Sequence, residues 1–232
     1  NFDKFQFLFN QGFYYQYSRN MLQHNNGDGT FSEVGQLAGI SNTDWSWAAL
    51  FADYNQDGFK DLFVTNGYVK DYTEMDFLKY SVDRVIKTMA KDTANVDPIP
   101  EYIRKMPTNN IQNYAMENKG NGTFSKVSSE WGFTENGVSA GAAYADLDND
   151  GDLDLVVNNT NSKAGIFRNN SDNQNQNNYL SIKLKGESKN ERGIGTKVKI
   201  YSGGSLFFQE QSPVRGFQSS SDPILNFGLG KN

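Results

Sequence analysis

The feature that most constrains this chain is an internal repeat. NNGDGTFSEV at 25–34 recurs as NKGNGTFSKV at 118–127, and the same offset then continues without a gap, so that Asp53 aligns with Asp146. Glycines, acids and an asparagine stay in step at Gly39 and Gly132, Asp57 and Asp150, Gly58 and Gly151, Asp61 and Asp154, and Asn66 and Asn159. A gapless match over about forty positions indicates two copies of one supersecondary unit.

Each copy has the pattern of short β-strands separated by turns. NGDGTF and GNGTF are typical of hairpins, and WSWAALFAD, SAGAAYAD, DLFVTN and DLDLVVNN are typical of strands. Repeated small sheets of this kind stack radially, so we predict a mainly β fold with β-propeller-type blades. Because a closed propeller needs roughly four or more blades, two copies predict a partial propeller in this chain. Either further blades lie outside it, or the arrangement is an open one. A third copy begins at GIFRNN, residues 165–170, and then loses the pattern.

The remaining sequence predicts a helical insert and a small β domain. DYTEMDFLKYSVDRVIKTMAKD has apolar residues at helical spacing, and DPIPEYIRKMP predicts a second short helix. The insert either covers one face of a sheet, which we favour, or presents a helix to a partner. Near the C-terminus, YLSIKL and TKVKIYS alternate with period two, and Gly203-Gly204 predicts a hairpin turn. The expected segments are a first repeat (1–67), the insert (68–113), a second repeat (114–170) and the β domain (171–232).

Two acidic loops occupy equivalent positions in the copies and share the template D-x-[DN]-x-D-G-x-x-D. In such a loop alternate residues direct oxygen atoms at one centre, the seventh residue contributes its backbone carbonyl, and glycine permits the sharp turn. Oxygen ligands without His or Cys favour calcium; magnesium is the weaker alternative because it holds its water. We therefore predict two calcium sites, with ligands Asp53, Asn55, Asp57, Phe59 and Asp61 in the first and Asp146, Asp148, Asp150, Asp152 and Asp154 in the second.

These loops are not EF-hands. The twelfth position, where an EF-hand places a bidentate Glu, holds Val64 and Val157, and the residues that follow each loop are β-like. A solvated acidic turn without a metal is the alternative, and two copies in register make it the less favourable one. Calcium here would brace a bend between strands, with an affinity on the order of 10⁻⁴–10⁻³ M if the sites resemble other extracellular modules. No residue beside the loops marks a catalytic role.

Composition argues against several functional classes. A formal net charge of −5, without a run of Lys or Arg, argues against a nucleic-acid partner. The chain has no cysteine, which excludes disulfides and thiolate metal sites. No stretch approaches the ~20 apolar residues of a membrane-spanning helix. The sequence starts without Met and within a pattern, so we expect it to be part of a longer protein.

Three other features allow a functional interpretation, and we favour a structural one for each. His24, the single histidine, lies beside a turn with no Ser or Cys motif to pair with it. Trp45 and Trp47 could stack on sugar rings, but their alternate spacing favours packing. The acids that could pair as in a glycosidase are Asp44, Glu130 and Glu135, although any acidic protein offers such pairs.

The acidic loops resemble those of the FG-GAP/VCBS repeats, which are known from integrin α-subunit propellers and many bacterial surface proteins. NERGIGTKVKIYSGG and RGFQSSSDPILNFGLG resemble the ASPIC/UnbV domain, which follows FG-GAP repeats in cartilage acidic protein and in large surface proteins of Bacteroidetes. The resemblance implies calcium at the hairpin of a blade. Asn55 departs from the more usual Asp and should weaken the first site modestly.

The resemblance implies a secreted or outer-membrane surface protein of a bacterium without an enzyme activity. We expect a calcium-binding module for extracellular binding, adhesion or scaffolding within a larger surface protein. Its partner would be a protein or glycan at the cell surface, and an outer-membrane complex is a possible assembly. The alternatives are an accessory region of a secreted carbohydrate-active enzyme and an architectural subunit of an outer-membrane complex.

Overall fold

The computed structural model describes residues 2–15, 17–71, 73, 75–89 and 99–231. Within these ranges the chain has fifteen strands and four α-helices, and the strands form small antiparallel sheets. The predicted mainly β fold with blade-like sheets is confirmed. Among the helices of the described ranges, none has the length and apolar character that crossing a membrane requires.

The first half of the chain contains the first repeat and the helices of the insert. Its elements are α1 (Phe2–Asn10), β1 (Gln23–Asn25), β2 (Phe31–Glu33), β3 (Ser46–Ala52), β4 (Asp61–Asn66), α2 (Met75–Met89) and α3 (Ile99–Lys105). The two helices predicted for the insert are therefore present. The apolar side chains of Val82 and Ile86 on α2 are exposed, which does not favour a covering role for this helix.

The second half contains the second repeat and the C-terminal β domain. The strands of the second repeat are β5 (Ile111–Gln112), β6 (Tyr114–Asn118), β7 (Phe124–Lys126), β8 (Asn136–Gly137), β9 (Ser139–Ala145), β10 (Asp154–Asn159) and β11 (Gly165–Phe167). They are followed by α4 (Ser171–Asn175), β12 (Asn178–Ile182), β13 (Lys197–Ser202), β14 (Ser205–Glu210) and β15 (Leu225–Gly230). The predicted turn at Gly203-Gly204 joins β13 to β14 in a regular antiparallel hairpin.

The sheets are assembled across the boundaries of the sequence repeat. The first sheet has the order β3-β4-β6-β7, so the hairpin that opens the second copy completes the sheet of the first copy. The second sheet has the order β11-β10-β9, and β11 is the segment where the third copy begins. The third copy thus contributes an edge strand to the sheet before it, which explains why its similarity to the other copies is so short.

The core lies on both faces of the first sheet. On one face, Leu50 and Phe63 pack with Leu155 and Val157 of the second sheet in one buried cluster. On the other face, Leu62 and Val64 pack with Ala38, Ile40 and Met116. Because neighbours cover both faces, every residue of β4 is buried. Its apolar run covers residues 62–64, and the buried polar residues at its two ends form hydrogen bonds. The two acidic loops leave the sheets at the ends of this core.

Candidate metal centre

Two hairpin loops carry the predicted ligands. The first acidic loop, residues 53–61, joins β3 to β4, and the second acidic loop, residues 146–154, joins β9 to β10. Both loops enter the left-handed region at their fourth and sixth residues, which have the φ angles 59° (Gln56) and 98° (Gly58) in the first loop and 62° (Asn149) and 99° (Gly151) in the second. The backbone therefore follows the same path in the two loops, as the sequence repeat predicts.

The first carboxylate of each loop accepts two backbone N–H groups from the turn. Asp53 accepts them from Asp57 at 3.1 Å and from Gly58 at 2.9 Å. The equivalent Asp146 accepts them from Asp150 and Gly151, both at 3.1 Å. These bonds hold the loop closed around the side chain, so the carboxylate is fixed at the centre of the turn rather than directed into solvent.

The last carboxylate of each loop is fixed from two directions. Asp61 accepts the backbone N–H of Tyr54 at 3.1 Å and that of Asn118 at 2.9 Å. Asp154 accepts the equivalent pair from Leu147 at 2.9 Å and Asn169 at 2.8 Å. Of the two residues that close the loops, Asn118 is the last residue of β6, and Asn169 lies two residues after the end of β11. Neither residue was predicted from the sequence, although an Asn at or just after the end of the third strand of each sheet is a signal common to both copies.

The first loop holds its charges in a buried place. Asp53 and Asp61 are almost fully buried. Burial raises the pKa of Asp53 to about 7 and that of Asp61 to about 8, and the nearby charge of Asp57 adds to both increases. Lys60 lies half-buried near Asp53, and desolvation lowers its pKa. Without a bound cation, these carboxyl groups therefore hold protons at pH values where a free Asp has lost its proton.

The second loop gathers three carboxylates around one point. Asp146, Asp148 and Asp150 each place one oxygen within 4.8 Å of the other two. Arg168 lies beside this trio: its Nε is 2.8 Å from Asp148 Oδ2, and its Nη2 is 3.3 Å from Asp150 Oδ2. Among the described residues, the first loop has no such trio of carboxylates, because Asn55 replaces the equivalent of Asp148.

The donor set fits a hard divalent cation. The side chains at the first, third, fifth and ninth positions are carboxylates apart from Asn55, and the loops contain no nitrogen or sulfur ligand of the kind that zinc prefers. At the seventh position, the ring of Phe59 is half exposed, whereas Asp152 is fully buried. The Asp clusters can therefore hold a metal ion, and the ten residues remain predicted ligands.

The C-terminal strand β15 packs against both loops. The N–H of Gly230 donates to the carbonyl of Gln56 at 2.9 Å, and Asn226 Nδ2 donates to the carbonyl of Gly151 at 2.9 Å. Gln56 Nε2 donates to the same Gly151 carbonyl at 2.9 Å, which links one loop to the other. At Gly228 the approach is so close that an added β-carbon would lie 2.0 Å from Asp53 Oδ2.

Further residues of the C-terminal domain complete this contact. Asn177 Nδ2 donates to the carbonyl of Asn55 at 2.9 Å. A β-carbon added at Gly58 would lie 3.1 Å from the ring of Phe207, and one added at Gly151 would overlap the ring of Tyr179. The two glycines therefore serve a second purpose besides the turn, because they let aromatic rings of the C-terminal domain lie directly on the loops.

The other candidate residues have structural environments. His24 lies in β1 with an exposed side chain. Trp47 donates its indole N–H to the carbonyl of Gly67 at 2.7 Å, and its ring packs on Phe217 at a centroid distance of 4.8 Å. The Trp45 ring packs against Trp47 at 6.3 Å. These contacts favour packing over a sugar-binding surface. The three acids considered for glycosidase chemistry, Asp44, Glu130 and Glu135, are exposed.

Comparison with known families agrees with the two resemblances seen in the sequence. Residues 10–64 and 107–157 match the family model of the FG-GAP-like repeat, and residues 186–232 match that of ASPIC and UnbV. FG-GAP-like repeats and an ASPIC/UnbV domain are thus present in this chain. Both acidic loops begin inside the repeat matches, and β15, which covers the loops, lies inside the ASPIC and UnbV match.

Curated relatives are similar over most of the chain. Cartilage acidic protein 1 of Homo sapiens is 25% identical over 242 residues, which covers 92% of this chain and 35% of that protein. The Mus musculus protein is 25% identical over 239 residues, and the Xenopus tropicalis protein is 24% identical over 240 residues. For both, the match covers 92% of this chain and 36% of the relative. The chain therefore spans about a third of the length of these relatives.

Proposed function

We propose that this chain of FG-GAP-like repeats and an ASPIC/UnbV domain is a calcium-stabilised, non-enzymatic binding or scaffold module of a larger extracellular protein. The pair of equivalent acidic loops carries the proposal. They repeat one backbone path and one set of hydrogen bonds to their first and last carboxylates. The sequence repeat gives the two loops this common geometry and places oxygen donors at equivalent positions, which supports the same kind of ligand in both.

Calcium would serve as a structural ion here. The loops lie between the core and the strand β15, and in the first loop burial keeps Asp53 and Asp61 in an environment that disfavours their charged forms. A divalent cation would neutralise the carboxylates where protons otherwise would, and the loop could then stay rigid at neutral pH. We propose Asp53, Asn55, Asp57, Phe59 and Asp61, and Asp146, Asp148, Asp150, Asp152 and Asp154, as the ligands.

A cleft beside the second sheet also favours a binding role over a catalytic one. The cleft has a volume of about 350 Å³, with Trp131, Phe133 and Phe167 among its lining residues. Among the residues that line it, Glu130 is the one acidic side chain, whereas hydrolysis of a glycoside normally requires two carboxylates on either side of the bond. The cleft therefore suits recognition of a ligand better than its cleavage.

We propose a bacterial cell surface or secreted location, with a protein or glycan as the partner and an outer-membrane complex as a possible assembly. Calcium sites of modest affinity work in a compartment that is rich in calcium, since an affinity on the order of 10⁻⁴–10⁻³ M is typical of extracellular modules. The four-segment division (1–67, 68–113, 114–170 and 171–232) is our proposal for the organisation of this part of the protein.

Thermal unfolding of the whole chain, with chelator or with excess calcium, tests the proposal. A ligand present at 100 times its Kd stabilises a folded protein by about 2.7 kcal/mol per site. For a chain of this size that raises the Tm by roughly 5–11 °C. We expect Asp150→Ala to lose more of this calcium response than Asn55→Ala, because it removes a charged ligand from the more acidic loop. Equal Tm values with chelator and with calcium would refute the proposed sites.

A further inference from the structure

Asp152 has an environment that its counterpart in the first loop does not share. Its side chain is fully buried. One oxygen, Oδ2, accepts the Ser171 hydroxyl and the Asp172 backbone N–H, both at 3.2 Å. The other oxygen, Oδ1, is buried without a hydrogen-bond partner. Buried polar atoms are nearly always satisfied, so this oxygen points to a group that the protein itself does not supply.

The carboxylate of Asp152 is also part of a second acidic trio. Asp150, Asp152 and Asp172 each place one oxygen within 4.8 Å of the other two. Calcium binds oxygen at about 2.3–2.6 Å, so three oxygens at this spacing can share one ion. This trio has only Asp150 in common with the trio of Asp146, Asp148 and Asp150. Asp172 lies outside the loop, in the first turn of α4.

The charge in this region exceeds what one cation can neutralise. The two trios and Asp154 together hold six carboxylates. The guanidinium of Arg168 forms ion pairs with two of them, Asp148 and Asp150. Two divalent cations and the guanidinium of Arg168 together carry less positive charge than the six carboxylates carry negative charge. The first cation therefore does not leave an excess of positive charge that would repel the second.

We propose that the second acidic loop binds two divalent cations, one within the loop and a second between the loop and α4. The second ion is held by Asp150, Asp152 and Asp172, and Asp150 bridges the two ions. This inference rests on the proposed function in so far as both sites take calcium. The second ion fastens the start of α4 to the loop, and with it the connection from the second sheet to the C-terminal domain. The first loop lacks this site because Phe59 stands where Asp152 does.

Counting the calcium bound to the whole chain tests this inference. Equilibrium dialysis against about 10 mM CaCl₂, a concentration well above the expected Kd, should give three ions per chain. We expect Asp172→Asn to bind two, because it changes the second trio and leaves the proposed loop ligands in place. Asp148→Asn should still bind three, with a modestly weaker ion in the loop, because the first loop carries Asn55 at the same position. Asp83→Asn, which removes an exposed acid on α2, should still bind three.

The outcomes separate this inference from the proposed function. Two ions per chain in the unmodified protein, with no loss in Asp172→Asn, would overturn the second ion and leave the two loop sites standing; a proton shared between Asp150 and Asp152 would give this result. Three ions that persist in Asp172→Asn would overturn the assignment to this trio. No bound calcium at all would overturn both. Asp152→Asn provides a second variant and should also bind two.

Discussion

Replacement of Gly228 by alanine tests how closely the C-terminal strand must approach the first acidic loop. The added β-carbon would lie 2.0 Å from Asp53 Oδ2 and 2.6 Å from the α-carbon of Gln56. The backbone of Gly228 does not require glycine, since its φ is not in the left-handed region. The whole cost of the substitution therefore comes from the overlap with the loop, which makes the variant a clean measure of the contact.

The expected cost is at the upper end of the range for overpacked sites. Adding a methyl group to a well-packed interior costs about 1–3 kcal/mol. Neither neighbour can yield easily: Asp53 is held by the N–H groups of the turn, and the other contact is with backbone. We therefore expect a loss of about 3 kcal/mol of unfolding free energy. At 2–4 °C per kcal/mol for a chain of this size, the Tm falls by roughly 6–12 °C.

The assay is thermal unfolding in excess calcium, with Gly137→Ala as the matched control. Gly137 lies in β8 with an ordinary φ, and an added β-carbon would meet only Ser139 Oγ at 3.9 Å. The control should keep its Tm or gain slightly, because alanine reduces the freedom of the unfolded chain. Gly228→Ala should also lose part of its calcium response, since the displaced group is a predicted ligand. If Gly228→Ala has the same Tm as Gly137→Ala, β15 does not pack on the first acidic loop as described.

Three further predictions concern the charges of the loops. In chelator, the Tm should fall as the pH rises from about 5 to 8. In the folded protein Asp53 and Asp61 have pKa values of about 7 and about 8, so they keep protons that the unfolded chain, with an Asp pKa of about 4, releases. Calcium should abolish this fall in Tm, and a Tm that does not change with pH in chelator would contradict the prediction. Asn55→Asp should tighten calcium binding to the first loop several-fold and lower the Tm in chelator, because it adds a fourth carboxylate; titration followed by unfolding checks both effects. Arg168→Gln should tighten calcium binding to the second loop, since it removes a cation that competes for Asp148 and Asp150, whereas Lys105→Gln on α3 should leave calcium affinity unchanged.

The strands and the loop positions could be predicted because their signals are local and occur twice. A period of two, a Gly/Asn turn and an acidic loop each lie within ten or so residues, and the repeat confirms one copy by the other. Helix α1 was missed, since its aromatic residues fit the pattern of a β protein as well. In the structure the ring of Phe5 stacks on Tyr17 at 5.7 Å and on Phe9 at 6.5 Å; these contacts depend on how the following segment folds back.

The assembly of the sheets could not be predicted from the same signals. The pairing of β4 with β6 joins residues that lie on opposite sides of the insert, and no short pattern specifies a partner so far along the chain. Several residues that hydrogen-bond to the loops are also distant in sequence. Asn118 bonds to Asp61 across 57 positions, and Asn226 bonds to Gly151 across 75. The FGLG motif could be recognised as a family signature, but the sequence does not show that Gly228 is the residue whose missing side chain leaves room for the carboxylate of Asp53.

The contacts of β15 give the acidic loops a role beyond their own hairpins. A carboxylate at the centre of a loop is tolerated in a buried interface only when a proton or a cation neutralises it. Asp53 lies in such an interface, between its own turn and the backbone of Gly228. We therefore expect occupation of the first loop by a cation and docking of the C-terminal strand to favour each other. The cation neutralises the charge of Asp53 that docking buries, and docking holds Asp53 in place for the cation. The link between Gln56 and the Gly151 carbonyl extends this coupling to the second loop. We therefore expect the proposed cations to act as joints between the repeats and the C-terminal domain, and we expect their removal to weaken the contact between these folded parts before it unfolds either sheet.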